Sequence, residues 1–193
     1  MAVRPLTKQR GRSTALTVSR KEMLVSGSDA AFREMVHDLL AFGHCMDACR
    51  DAFAALMGIS GVQYEILLVA RKFSVGIDRE VCGISVGEVA ARLRRTGAFI
   101  TIEAGRLVER SLIEKRDDPR DARRVLLVLT RAGEMLIEGV APFQRQVNDV
   151  LFACLDAQRF KTLRVLMSEL VQCGDRAAAL SAFLLRSTPE KIA

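Results

Sequence analysis

Apolar residues spaced three and four positions apart predict three long helices, one near the N-terminus and two near the C-terminus. The first runs from Ser28, a candidate N-cap, to Gly58, and the other two lie on either side of a candidate cap at Asp156. The stripes are Phe32, Met35, Leu39, Phe42, Met46, Cys49, Phe53 and Leu56; Leu136, Val140, Phe143, Val147, Val150 and Cys154; and Leu163, Leu166, Leu170, Cys173, Ala177, Leu180 and Leu184. Because a helix cannot bury such a stripe by itself, we expect the stripes to pack against one another or against a second chain.

Shorter helices are predicted in the middle of the chain. Ser60 with Gln63, and Ser85 with Glu88, match the capping-box pattern, in which two side chains bond reciprocally to backbone N–H groups at a helix start. Thr96 is a candidate N-cap for a third short helix. The two helices that begin after Ser85 and Thr96 are separated by a tight turn.

The apolar period changes after residue 111. Residues 112–115 and 124–129 are short extended runs, and residues 117–121 between them have turn chemistry, since Pro119 fixes φ and aspartates bond to their own backbone. The segment therefore predicts a β-hairpin, after which Thr130 caps another helix.

Two short helices, a tight turn and a hairpin have the layout of a winged helix-turn-helix. We therefore expect a mainly α-helical protein with a small β-hairpin (α+β), in which a winged helix-turn-helix core is flanked by long N- and C-terminal dimerisation helices. In this arrangement the second helix enters the DNA major groove, where base edges are distinguishable. The alternative is a monomeric helical bundle, which leaves the stripe at residues 177–184 with less to cover it.

Composition is that of an ordinary globular protein. Of the 193 residues, 50% are hydrophobic and 27% are charged, and no segment has the run of about 20 apolar residues that a membrane span needs. The first 25 residues lack the apolar core of a secretory signal, and the five cysteines have no metal-ligand spacing. We expect a cytoplasmic, non-enzymatic protein with reduced thiols, no cofactor and no membrane partner.

The net charge of +6 is concentrated in two segments. Residues 1–22 hold six cations and one anion, and residues 78–133 hold twelve cations and nine anions. Such clustering indicates a polyanionic partner. The alternative for the first segment is a solvated basic tail that only aids solubility.

Three arginines lie at the predicted hairpin tip: Arg120, Arg123 and Arg124. A narrow DNA minor groove attracts an inserted arginine because it concentrates negative potential. Asp121 is placed to hold Arg123 through a charge-assisted hydrogen bond.

The hairpin also carries a recognisable motif, D-P-x-D-x-R at residues 118–123, which is followed by L-T-x-x-G at residues 129–133. Together with the Ile84-Ser85 start, the run through Leu93, and Leu-Val-Glu-Arg-Ser-Leu-Ile at residues 107–113, it resembles the multiple-antibiotic-resistance regulator (MarR) family of bacterial transcription regulators. The resemblance is specific at residues 84–133 and extends loosely over about residues 28–186.

The resemblance implies a homodimer whose terminal helices interlock and which binds a pseudo-palindromic operator in double-stranded DNA. It implies a ligand-responsive repressor, with a small-molecule effector docked in a cleft lined by the helices at residues 28–57, 60–73 and 131–154. Arg123 would be the wing arginine, Asp121 its partner, and residues 96–106 the recognition helix. The chain then divides into a flexible basic arm (1–27), a helical dimerisation region (28–57 and 134–186), a winged helix-turn-helix domain (58–133) and a tail (187–193).

The predicted recognition helix departs from the expected pattern because it has few polar residues. Its candidate base contacts are Thr96, Ala98, Phe99, Thr101, Ile102 and Arg106. Ala98 or Phe99 would touch thymine methyl groups, whereas Ile100 is expected in the core and Phe99 and Ile102 suit either place equally. Arg94 and Arg95, in the turn, are candidate phosphate contacts.

Other residues match the patterns of different classes of site. Residues 83–87 match the G-x-S-x-G hydrolase motif, but both histidines precede Ser85, so we do not expect a hydrolase. Cys45 and Cys49 are a possible redox pair, which makes a thiol-based redox sensor on the same fold one alternative; buried structural cysteine is the commoner case. His37 and His44 share a helix face as a conceivable metal or pH site. A helical adaptor that binds proteins rather than DNA is a further alternative.

Overall fold

The computed structural model describes residues 15–74 and 83–187. Two predicted segments therefore lie partly outside the described residues: the basic arm, of which residues 1–14 hold four cations, and the tail after residue 187. Residues 75–82, which include Cys82, are also outside. All further statements concern the described part of the chain.

Six α-helices and three strands make up that part. They are α1 (Ala30–Leu56), α2 (Gly61–Ser74), β1 (Ile84–Ser85), α3 (Val86–Leu93), α4 (Gly97–Glu109), β2 (Ile113–Asp118), β3 (Asp121–Leu129), α5 (Arg131–Leu151) and α6 (Ala157–Ser187). A 3-10 turn, Lys21–Met23, precedes α1. The predicted fold class, mainly helical with a small sheet in a winged helix-turn-helix, is confirmed.

The predicted helix starts are formed by the bonds that the sequence indicates. Ser60 and Gln63 exchange backbone-to-side-chain bonds of 3.1 and 3.2 Å, and Ser85 and Glu88 form the complete capping box of α3. Side-chain oxygens of Thr96, Thr130 and Asp156 accept hydrogen bonds from backbone N–H groups in the first turns of α4, α5 and α6 respectively. These bonds satisfy N–H groups that have no partner inside a helix.

The start of α1 differs from the prediction by one residue. Asp29, not Ser28, is the N-cap residue, although its side chain makes no capping bond. The carboxylate is buried and turns back along the chain, where it accepts bonds from the backbone N–H and the hydroxyl of Thr17, both 2.7 Å long. It also pairs with Arg33 at 3.0 Å.

Residues 15–27, predicted as part of a flexible arm, have a defined conformation. Val25 and Ser28 pair across a tight turn whose central residues, Ser26 and Gly27, have φ values of 51° and 76°. The contact between Thr17 and Asp29 fixes the start of this segment to α1. Composition gives no sign of it, because the segment lacks a hydrophobic period.

The chain separates into two compact units, residues 1–140 and 141–193, with the division inside α5. In the first unit β3 lies between β1 and β2, and all pairs are antiparallel. The hairpin register runs from Ile113 opposite Leu129 to Asp118 opposite Asp121, so Pro119 and Arg120 form its tip. The largest fully buried apolar side chains of this unit come from α2, the sheet, α3, α4 and α5: Ile66, Leu67, Ile84, Val89, Ile100, Leu107, Ile113, Leu127 and Ile137.

Gly133 explains the glycine of the L-T-x-x-G motif. A Cβ atom there would collide with the carbonyl oxygen of Leu112 and lie 2.7 Å from Leu129 Cδ1. The hydroxyl of Thr130 lies 2.7 Å from the carbonyl oxygen of Ser111 and 3.0 Å from that of Leu112, and it accepts a bond from the N–H of Gly133 at 3.0 Å. The first turn of α5 therefore rests directly on the base of the hairpin.

The second unit consists of the end of α5 and all of α6 as far as residue 187. None of the 31 residues of α6 is buried, and Phe160, Leu170, Leu180 and Phe183 are each more than half exposed. Where α5 meets α6 a largely apolar cleft of about 540 Å³ is lined by residues that include Phe152. The prediction that the C-terminal stripe requires a partner stays open.

Among the described helices, none by itself is long and apolar enough to cross a membrane. Helices α1 and α2 meet the length and composition criteria only as a pair, which is bent by 86°.

Candidate DNA-binding surface

Helices α3 and α4 are joined by a closed turn. Arg94, which ends α3, has a left-handed backbone (φ 52°), and the N–H of Arg95 donates to the carbonyl of Ala90 at 3.0 Å. This is the usual way to end a helix abruptly, although glycine is the commoner residue at the left-handed position. Both arginines are exposed in this turn, and Thr96 then begins α4.

One face of α4 is buried and the other is exposed. Ile100 and Leu107 are fully buried, which confirms the expectation of core packing for Ile100. Phe99 and Ile102 are 38% and 57% exposed, so neither belongs to the core. Both side chains therefore lie on the outer side of α4, where they are accessible to a partner.

The polar candidates on α4 are held by local bonds. Thr96 Oγ1 accepts the N–H of Phe99 at 3.3 Å, and Thr101 Oγ1 donates to the carbonyl of Gly97 at 2.9 Å. Arg106 Nη1 donates to Glu103 Oε1 at 2.6 Å. Only Arg106 combines a charge with long reach on this face.

Glu103 was missed by the sequence analysis. It is 6% exposed on the inner side of α4, where its second oxygen accepts a bond from Gln63 of α2 at 2.8 Å. The available signal was its position: Glu103 falls between Ile100 and Leu107 on the apolar face of the helix, where a charge needs a partner.

The wing tip is stabilised by its aspartates. Asp118 Oδ1 accepts the backbone N–H of Arg120 at 2.9 Å, and Asp121 Oδ1 accepts the backbone N–H of Arg123 at 3.0 Å. The predicted charge-assisted bond between Asp121 and Arg123 is therefore present, and its donor is the backbone N–H of Arg123, so the bond shapes the turn. The side chains of Arg120 and Arg123 belong to exposed residues.

Arg124 differs from the other two wing arginines. Its Nη2 donates to Glu88 Oε2 at 3.0 Å and to Ser85 Oγ at 3.3 Å, so it joins β3 to the start of α3. Bonds from the side chain and backbone of Ser85, with a further contribution from the charge of Arg124, hold the pKa of Glu88 below its usual range. Arg124 thus links β3 to α3 within the protein, because its guanidinium is already paired with the carboxylate of Glu88.

The remaining candidate sites gain no support. Ser85 is occupied by its capping bonds, and His37 and His44 lie exposed on α1. Cys45 is exposed and Cys49 is half-buried, both as free thiols, and no group of metal-ligand residues occurs among the described residues. A redox role for Cys45 and Cys49 stays a prediction, which mass spectrometry and DNA binding after mild peroxide treatment would test.

The fold is shared with solved bacterial regulators. The apo form of MarR from E. coli superposes with a TM-score of 0.55 and 21% identity, over 69% of this chain and 93% of that one. CouR from Rhodococcus jostii RHA1, bound to p-coumaroyl-CoA, gives a TM-score of 0.63 and 19% identity, over 74% and 95%. This chain has the MarR fold. A cysteine-to-serine mutant of E. coli MarR with the same fold is complexed with operator DNA (TM-score 0.56, 20% identity, 73% of this chain and 94% of that one).

Comparison of amino-acid sequences gives one relative of this chain. The HTH-type transcriptional repressor NicR of Pseudomonas putida is 28% identical over 72 residues, which are 37% of this chain and 46% of NicR. The chain thus matches under half the length of that relative. No family model matches the chain.

Proposed function

We propose that this protein is a sequence-specific DNA-binding transcription regulator that acts as a homodimer. The observation that carries the proposal is the outer face of α4, which exposes Phe99, Ile102 and Arg106 beside a wing with two exposed arginines. An α-helix fits the major groove, apolar side chains match thymine methyl groups, and arginine matches guanine.

The contacts fall into three classes. Base edges would meet Ala98, Phe99, Thr101, Ile102 and Arg106. Phosphates would meet Arg94, Arg95 and Thr96 at the turn, where contacts fix the register without choosing a sequence. The wing would follow the backbone or the minor groove through Arg120 and Arg123, while Asp121 and Arg124 maintain the shape of the wing.

The proposed partner of the apolar helices is a second copy of the chain. Helix α6 exposes large apolar residues along its whole length, as does α1 at Met35, Leu39 and Leu40. Contiguous apolar surface of this kind is unusual on a monomer and typical of an oligomer interface. A two-fold dimer would present two α4 helices to successive major grooves, about 34–36 Å apart.

We infer further that the protein is a repressor released by a small-molecule effector. The relative NicR is a repressor, and CouR, which shares the fold, binds p-coumaroyl-CoA. Such an effector can act only by binding more tightly to the conformation that cannot engage DNA.

Selection of bound duplexes from a random pool, followed by fluorescence anisotropy over a range of salt concentrations, tests the proposal. We expect an enriched palindromic sequence and a linear fall of log affinity with log salt. Failure to bind any duplex even at low salt would instead favour the protein-binding adaptor. Sedimentation of the protein alone tests the dimer independently of DNA.

A further inference from the structure

Glu103 is the least expected group on the proposed recognition helix. Its side chain is 7% exposed, and it lies on the apolar side of α4 between Ile100 and Leu107. A carboxylate in such a place costs stability unless its oxygens are paired. Both are paired, since Oε2 accepts from Gln63 at 2.8 Å and Oε1 accepts from Arg106 at 2.6 Å.

Gln63 is itself fixed. Its Oε1 accepts the backbone N–H of Ser60 at 3.1 Å, and its own backbone N–H donates to Ser60 Oγ at 3.2 Å. Because a carboxylate can only accept, the amide nitrogen of Gln63 must face Glu103. The capping box of α2 therefore determines where the carboxylate of Glu103 is held.

The bond to Glu103 also holds Arg106, whose side chain lies at the surface of α4. Its side chain is 59% exposed, and it follows Ala98 and Ile102 at four-residue intervals along the outer face of α4. One nitrogen is bonded to Glu103, which leaves the planar group with further N–H donors. An arginine already held in one orientation loses less conformational entropy when it binds.

We propose that Glu103 is a positioning residue that, together with Gln63, orients the guanidinium of Arg106 to read one base pair of the operator. The inference rests on the proposed function. Glu103 faces the interior, so it contacts no base itself, and its bond to the exposed side of α4 is the one to Arg106. The chemistry that fits an oriented arginine in the major groove is guanine, which presents two acceptors to it.

The test compares Glu103→Gln with Glu109→Gln. Both substitutions remove one negative charge from α4, but Glu109 is exposed near the end of the helix. The measured quantity is the ratio of affinities for the selected operator and for a random duplex at one salt concentration. We expect E103Q to lower this ratio about 5- to 100-fold, the range of one good base contact, and to relax preference at one base pair. E109Q should leave the ratio and the preference unchanged.

A double-mutant cycle separates positioning from folding. Adding E103Q to Arg106→Ala should change the ratio no further, because the side chain through which Glu103 acts is already gone. An equal fall in both backgrounds would overturn the proposal, as would a lower melting temperature for E103Q with an unchanged ratio.

Arg106→Lys covers the case in which E103Q does not fold. Arg106 is exposed, so the lysine variant should fold, and it keeps the charge but lacks the planar fork. It should lose the preference at the same base pair, and wild-type preference in R106K would overturn the inference. Absence of any sequence preference in the wild-type protein would overturn the proposed function itself, before any variant is made.

Discussion

Two glycines of helix α5 are expected to respond in opposite directions to the same substitution. Gly133 and Gly139 both lie within Arg131–Leu151. A Cβ at Gly139 would have no heavy atom within 4 Å, whereas a Cβ at Gly133 would collide with the carbonyl oxygen of Leu112 and lie 2.7 Å from Leu129 Cδ1. The Leu112 oxygen cannot easily withdraw, since it accepts the backbone N–H of Thr130 at 3.2 Å and belongs to the main chain at the start of the hairpin.

The magnitudes follow from these contacts. Alanine inside a helix is favoured over glycine by about 0.5–1 kcal/mol, and Gly139→Ala should gain stability by that amount. Gly133→Ala must separate α5 from the hairpin base, and overpacking of this kind costs about 1–3 kcal/mol. We therefore expect G133A to be less stable than the wild type by up to about 2.5 kcal/mol after the helix gain is subtracted.

Urea denaturation followed by circular dichroism measures both variants. The protein concentration is held fixed, because the stability of an oligomer depends on it. Equal slopes against urea indicate that the two midpoints can be compared directly. A G133A variant as stable as G139A would refute the close approach between α5 and the hairpin.

Three further predictions concern binding and pH. Arg123→Ala should weaken operator binding by about 1–3 kcal/mol in anisotropy titrations and leave the dimer intact; wild-type affinity in R123A would contradict the wing assignment. Bonds from the hydroxyl and the backbone of Thr17 hold the pKa of Asp29 below its usual range, so the stability that Asp29 adds is present above about pH 3.9 and is lost as the pH falls through the lowered pKa. Denaturation between about pH 2 and 5 should therefore show a smaller loss for Asp29→Asn than for the wild type, and parallel curves would exclude this role. Removing residues 1–14, which contain four cations, should reduce the slope of log affinity against log salt by up to about 0.9 per cation, and a changed consensus sequence would contradict a phosphate role for the arm.

The helix starts could be predicted because their bonds are local. The capping interactions of Ser85 with Glu88, of Thr96 and of Thr130 join residues at most three positions apart, so a short stretch of sequence contains both partners. The hairpin has the same advantage, since its turn is set by residues 118–121. Local chemistry thus sufficed to predict the winged helix-turn-helix.

Interactions between distant residues could not be read in this way. Gln63 and Glu103 are 40 positions apart, and Thr17 and Asp29 are 12 apart in a segment with no periodicity. A sequence window identifies Glu103 as a charge on an apolar face, but it does not say which helix supplies the partner. The bond between Asp121 and Arg123 was predicted without its donor, because an aspartate two residues before an arginine can accept from either its backbone or its side chain.

The three wing arginines differ in their partners. Arg120 and Arg123 are exposed cations, whereas Arg124 forms an ion pair with Glu88 inside the same protein. Arg124 and Glu88 are 46% and 49% exposed, and an ion pair of that exposure contributes about 0–1 kcal/mol, so it adds little to the stability of the fold. It does join the hairpin to the capping box of α3, and because the pKa of Glu88 is lowered the pair stays charged further into the acidic range than an ordinary glutamate would allow. Arg120 and Arg123 therefore project from a hairpin that is joined to the helix-turn-helix close to its tip. If the wing binds DNA as proposed, less of the chain has to become ordered on binding, and the Arg124–Glu88 pair would then favour affinity through preorganisation.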